Sequence, residues 1–129
     1  MVRFLSREWF DLLRSVGEGA PERPGASARV QCTVTGAPDG DVTFHLVVDD
    51  GRLLVAEPGP DPDDPPLALT GSYDVAVAVA RGELDPSAAF MQGRIKATGD
   101  MSQLFALLPL MQGADAAEML HRVAAETEL

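Results

Sequence analysis

In residues 28–35 and 42–49 apolar and polar residues alternate with a period of two, and no other feature constrains the fold as tightly. In "ARVQCTVT" (28–35), Val30, Cys32 and Val34 fall on one side, with Arg29, Gln31, Thr33 and Thr35 on the other. In "VTFHLVVD" (42–49), Val42, Phe44, Leu46 and Val48 share a side. Successive side chains of a strand point to opposite faces, so each segment predicts a strand with one buried face. "GAPDGD" turns the chain between them. Asp50-Gly51 supplies the positive φ angles of a tight hairpin before "RLLVAE". The three segments form an antiparallel meander whose apolar face needs a cover.

The remaining segments supply that cover. Residues 4–16 place Leu5, Trp9, Leu12 and Val16 at helical spacing, with Phe10 and Leu13 widening the stripe. "GEGAPERPGAS" ends this helix. "PGPDPDDPP" (58–66) reads as a proline-stiffened, solvated acidic loop and "LALT" as a short strand. Ser72 reads as the N-cap of a helix "YDVAVAVAR" that Gly82 closes. Asp85-Pro86 caps and opens one short turn, "PSAAF". In "FMQGRIKATGDM" (90–101), Ile95 and Ala97 face one way and Arg94, Lys96 and Thr98 the other, a strand between Gly93 and Gly99. Asp100 is an N-cap with Gln103 as its capping-box partner. Helical patterns cover 101–112 and 115–127, and Pro109 predicts a kink or break in the first. The order defines a single α+β domain over 1–129, with helices packed on one sheet.

Charge and composition exclude several classes of function. Ten basic residues against twenty acidic ones give a net charge of -10. That balance disfavours nucleic acid and anionic headgroups as electrostatic partners. The longest apolar runs, 75–80 and 104–111, fall short of the roughly 20 residues of a membrane span. Charges at Arg3, Arg7 and Glu8 interrupt any secretory apolar block, so no stable membrane insertion is expected and the expected compartment is the cytoplasm. The single cysteine, Cys32, allows neither an internal disulfide nor a cysteine metal cluster, and it alternates into the core.

No motif for catalysis stands out. Gly93 and Gly99 flank two bases as a phosphate loop would, but five residues separate them and Asp100 follows, where a carboxylate repels phosphate. His45 sits mid-strand opposite Phe44 and Leu46, and His121 follows Glu118 by three residues, a surface pair. A small enzyme built on either histidine and a carboxylate is the weakest of three readings. Asp61, Asp63 and Asp64 lack the glycine and distal glutamate of a calcium loop. Neither a metal nor a cofactor is expected. The distinctive segment is "MSQLFALLPLM", where Met101, Leu104, Phe105, Leu108 and Met111 form one stripe and Leu107 and Leu110 extend it. It reads either as a buried core helix or as a Met-rich apolar lid over a ligand cavity.

The block "GELDPSAAFMQGRIKATGDM" (82–101) resembles the sterol carrier protein type 2 family, and "FLSREW" and "VTFHLVVDDGRLLV" are compatible with it. The first of these resembles the opening of stand-alone bacterial members. The resemblance implies a mixed, largely antiparallel five-stranded sheet covered by helices, enclosing an apolar cavity. It also implies a carrier without catalytic residues, for a fatty acyl, acyl-CoA or sterol-like ligand. Carried over, Phe90 and Ile95 flank or form the last strand, Phe44 and Leu46 lie on the sheet wall, and residues 101–111 close the tunnel. The ligand contacts so implied are Phe44, Leu46, Phe90, Ile95, Met101, Leu104, Phe105, Leu108 and Met111. An accessory module docking on a lipid-metabolising enzyme through its apolar C-terminal helix is the alternative.

Overall fold

The computed structural model describes residues 1–19, 22–38, 40–63, 65–112 and 114–128, without the side chains of 110–112, 114 and 115. A two-residue strand, β1 (Val2–Arg3), precedes helix α1 (Arg7–Glu18). Ser6 sets the start of α1, because its hydroxyl accepts a hydrogen bond from the Trp9 N–H at 3.2 Å. The helix expected over 4–16 therefore begins later: capping decides the boundary, and Phe4 and Leu5 lie outside it. Leu5 takes a left-handed φ of 65°.

The expected meander is present as β2 (Ala28–Thr35), β3 (Val42–Asp49) and β4 (Arg52–Pro58), paired antiparallel. Asp50 (φ 47°) and Gly51 (φ 87°) make its tight turn. Strand β5 (Leu67–Ser72) joins the free side of β2 in parallel, and β6 (Ile95–Gly99) closes that edge antiparallel to β5. The sheet order β4-β3-β2-β5-β6 is thus mixed and five-stranded. Arg94 and Lys96 are exposed on the edge. Gly93 (φ 74°) and Gly99 (φ 107°) bound that strand, so the glycines serve as turns.

Strands β4 and β5 run in the same direction from opposite sides of the β3-β2 pair. The connection 59–66 must therefore return diagonally across one face of the sheet. It crosses the polar face as a strap. His45 Nδ1–H donates to the Gly59 carbonyl at 2.9 Å, and the Asp61 N–H donates to Gln31 Oε1 at 3.2 Å. The Arg29 guanidinium grips Asp61 through two bonds, at 3.0 and 3.1 Å, and reaches Asp63 at 3.1 Å. Asp61 is 6% exposed and His45 7% exposed. The expectation of a solvated acidic loop thus fails at Asp61, whereas Pro58, Pro60, Pro62 and Asp63 are exposed. Asp61 and Asp63 fasten the loop to β2, and the hydrogen bond to Arg29 holds the Asp61 carboxyl below its ordinary range. Asp64 lies outside the described residues.

The helices pack on the other face. Helix α1 lies close on β4 because Gly17 has no side chain; a Cβ there would stand 2.5 Å from Leu53 Cβ. Helix α2 (Tyr73–Ala80) is capped by the Ser72 hydroxyl, and α3 (Pro86–Met91) by the Asp85 carboxylate. Helix α4 (Met101–Gln112) is capped by Asp100, whose carboxylate accepts from the Ser102 N–H at 3.0 Å. The reciprocal bond of the capping box, from the Asp100 N–H to the Gln103 side chain, does not form. Asp100 N–H donates instead to the Pro66 carbonyl, and Gln103 Oε1 accepts from the Arg29 N–H at 3.0 Å. Tertiary partners outcompete the local one. The helix also runs through Pro109 without a break. The bond that Pro109 cannot make is the one to the Phe105 carbonyl, and both residues lie on the exposed side of the helix. Helix α5 (Ala114–Ala125) leads to β7 (Thr127–Glu128), which pairs in parallel with β1. No helix among the described residues is long and apolar enough to cross a membrane.

Candidate functional site

Two apolar clusters lie under the helices. One joins Trp9, Phe10, Val34, Phe44 and Val123, and the other joins Ala28, Val30, Leu67, Leu104 and Leu107. Beside the first the molecule is hollow, with a cavity of about 350 Å³. Its floor is the sheet: Cys32 and Val34 of β2, Phe44 and Leu46 of β3, Leu69 and Gly71 of β5, and Ile95 of β6. Leu5, Trp9 and Leu13 stand on one side, and Met119 and Leu120 of α5 on another. Val75, Ala76, Val79 and Ala80 of α2 complete the wall.

The hollow follows from side-chain volume. Helix α2 reads "YDVAVAVA", and positions i, i+1, i+4 and i+5 of one face present only Val and Ala to the cavity. Opposite them, Gly71 occupies an inward position of β5 with no side chain at all. No residue of α2 is fully buried, as expected of a helix that borders open space. Small residues facing small residues leave a gap, which is why the space persists between otherwise apolar elements.

The walls carry little polar chemistry. Among the described lining residues Arg23 alone has a charged side chain. Burial pushes the Cys32 thiol up to about 12, which disfavours the thiolate that a nucleophile or metal ligand requires. His45 lies beneath the strap on the other face of the sheet, and His121 is exposed on α5; neither borders the cavity. Among the described residues no group of three or more His, Cys, Asp or Glu is placed to hold a metal. The arrangement can desolvate an apolar molecule, and among the described residues no acid-base pair lines it.

The residues implied by the sequence resemblance divide into three sets. Phe44, Leu46 and Ile95 border the cavity. Phe90, Met101, Leu104 and Leu108 pack in the second cluster, where Leu104 is 1% exposed, and do not line the hollow. Phe105 is 63% exposed and points away from the sheet. The side chain of Met111 lies outside the described residues. The expectation that α4 closes the cavity is thus revised: its leucines fill the space beneath them, and the roof is α2 with α5. Those helices were missed because hydrophobicity does not report volume. The legible signal was the run of Val and Ala in "YDVAVAVA" two residues after Gly71.

A mixed sheet with helices on one face and an apolar hollow between them defines a binding protein for a greasy small molecule. A model of the SCP-2 sterol transfer family matches residues 11–112, and the chain belongs to that family. Membership supports lipid binding or transfer as its class of function. Among solved structures, the fold is similar to sterol carrier protein 2, at a TM-score of 0.69 and 19% identity over 98% of this chain and 100% of that one. A conserved hypothetical protein of Thermus thermophilus, described as a candidate sterol carrier protein, matches with a TM-score of 0.69 and 21% identity. That match covers 98% of this chain and 90% of the other. The palmitated sterol carrier protein 2-like 2 of Aedes aegypti matches at 0.63 and 18%, covering 84% and 96%. At these identities the likeness carries the fold alone. No curated protein matches the chain at a significant level.

Proposed function

We propose that the protein is a non-catalytic carrier, acting as one lipid-binding domain in the cytoplasm, that holds the acyl chain of a fatty acid or acyl thioester in the hollow beneath α2. The observation that carries this reading is the cavity of about 350 Å³ with almost wholly apolar walls. That volume is at the slender end of the roughly 300–1,000 Å³ typical of ligand pockets, which suits a single chain better than a fused-ring sterol. Burying one methylene contributes about 0.8 kcal/mol, so a chain of about 16 carbons gains on the order of 12 kcal/mol before ordering costs. Binding alone accounts for the function, and the palmitated neighbour supports a chain of this kind. Phe44, Leu46 and Ile95 contact the ligand from the sheet, and Val75, Val79 and Leu120 from the helices.

Mass spectrometry of the solvent-extracted protein is expected to find co-purified lipid. A clean protein that also binds no fluorescent fatty acid would sink the proposal. One observation favours a second reading, docking on a lipid-metabolising enzyme: Phe105 stands 63% exposed on α4. Monodisperse protein that captures no such enzyme, with or without Phe105→Ser, counts against it.

A further inference from the structure

We propose that residues 2–5 are a displaceable plug, and that ligand enters when β1 unpairs from β7; this rests on reading the cavity as the ligand site. Phe4 and Leu5 both border the cavity. Phe4 is wedged between two rings, edge-on to Trp9 at 4.9 Å and tilted against Tyr73 at 6.0 Å, so one side chain bridges α1 and α2. Withdrawing the segment would therefore open the wall at the joint between two helices that enclose the hollow.

The backbone hold on this plug is slight, so its apolar contacts with the first cluster through Val2, Phe4 and Leu5 are the main hold to be released. Strands β1 and β7 pair over two residues each, Val2 with Thr127 and Arg3 with Glu128. Their ladder includes the Val2 N–H on the Glu126 carbonyl at 2.8 Å and the Phe4 N–H on the Glu128 carbonyl at 3.2 Å. An isolated two-stranded ladder is marginal in water even when longer than this. The next residue, Leu5, is held at φ 65°, a left-handed conformation that side chains with a Cβ rarely adopt. Release of the plug relieves that backbone, which offsets part of the cost of unpairing. Helix α1 does not depend on the plug, because its cap is the Ser6 hydroxyl bonded to the Trp9 N–H. The break falls between Leu5 and that cap, where the chain can hinge without unwinding the helix. The bonds lost there are the two from Ser6 to the Arg3 carbonyl, at 2.6 Å from the hydroxyl and 3.1 Å from the N–H. The partner side is firm: Thr127 is buried, and its hydroxyl donates to the Val123 carbonyl at 2.6 Å, inside the first apolar cluster. Motion therefore falls to β1.

The test is a reversible lock. Arg3 and Glu128 are exposed and directly opposite in register. Neighbouring strands lie about 4.8 Å apart, within disulfide reach. In Arg3→Cys/Glu128→Cys the native Cys32 stays out of the exchange, since burial keeps its thiol protonated. Uptake of a fluorescent fatty acid is expected to be about tenfold or more slower in the oxidised form and normal after reduction. A red shift of Trp9 emission, as the buried indole meets water, should accompany opening in the reduced form only. An oxidised protein that fills as fast as the reduced one overturns the plug while leaving the cavity reading intact. A reduced protein that takes up no probe overturns both. Native-state hydrogen exchange gives an independent reading. The Val2 and Phe4 amides are expected to exchange through a local opening, faster than those of the β2–β3 ladder. Equal protection would overturn the proposal.

Discussion

The sheet's apolar face has two ends, and helices of nearly equal greasiness cover them with opposite results. Over the start of β2 and β5, α4 drives Leu104 and Leu107 against Val30 and Leu67, and the space is filled. Over the other end, α2 brings Val and Ala toward Gly71 and Leu69, and the space stays open. Hydrophobicity is common to both. Side-chain volume and the distance between layers separate a filled core from an open cavity.

Substitutions of matched chemistry break or sharpen that contrast. The largest effect is expected at the filled end: Leu104→Ala should cost about 3–4 kcal/mol of unfolding free energy, because a fully packed side chain leaves a void. The same change at Leu120, which already borders the hollow, should cost only about 1 kcal/mol. Equal losses in denaturant melts would erase the distinction between the ends.

Next in size is a change that abolishes the hollow itself. Gly71 has an ordinary backbone, and a Cβ there would meet Ile95 Cγ1 at 3.5 Å, so a larger residue fits. Gly71→Phe should weaken fatty-acid affinity about tenfold or more while the circular dichroism spectrum is retained. A filled variant that binds normally would move the ligand elsewhere.

The strap lies behind both ends, so acid should weaken them together. The Arg29 bond depresses the Asp61 carboxyl, and bonds from Ser102 depress Asp100. A carboxyl with a lowered folded-state value stabilises the protein above the ordinary carboxylate value of 3.8 and loses that contribution as pH falls through the depressed value. Wild type should therefore lose melting temperature more steeply than Asp61→Asn as pH falls below about 4. Parallel slopes would show that the pair contributes nothing. The smallest effect is expected at Phe105→Ser, with stability changed by less than about 0.5 kcal/mol and affinity unchanged. A loss of binding there would return α4 to the ligand site.

Much of this layout was readable from residues alone. The alternation in 28–35 and 42–49 placed two strands and their inward faces, and Asp50-Gly51 placed the hairpin turn to the third. Ser72 and Asp85 cap the helices they were expected to cap, since caps act within a few residues. The misreadings share a cause, which is a distant partner. Gln103 left its capping box for the Arg29 amide, and Asp61 left solvent for the Arg29 guanidinium. The β1-β7 pair joins residues from opposite ends of the chain, and two-residue strands carry no periodicity to detect.

For the candidate site the split is similar. Phe44, Leu46 and Ile95 were legible because strand alternation says which side faces inward. The contributions of α2 and α5 were not, and α4 drew attention only because it was the longest uncharged stretch. What the chain determined by itself was local: which segments form strands and helices, which face of each is apolar, and that the fold buries one sheet face. Where that buried face closes into a core and where it stays open was decided by the tertiary structure. A cavity is a shortage of atoms between layers, and only the assembled layers set how many atoms the gap requires.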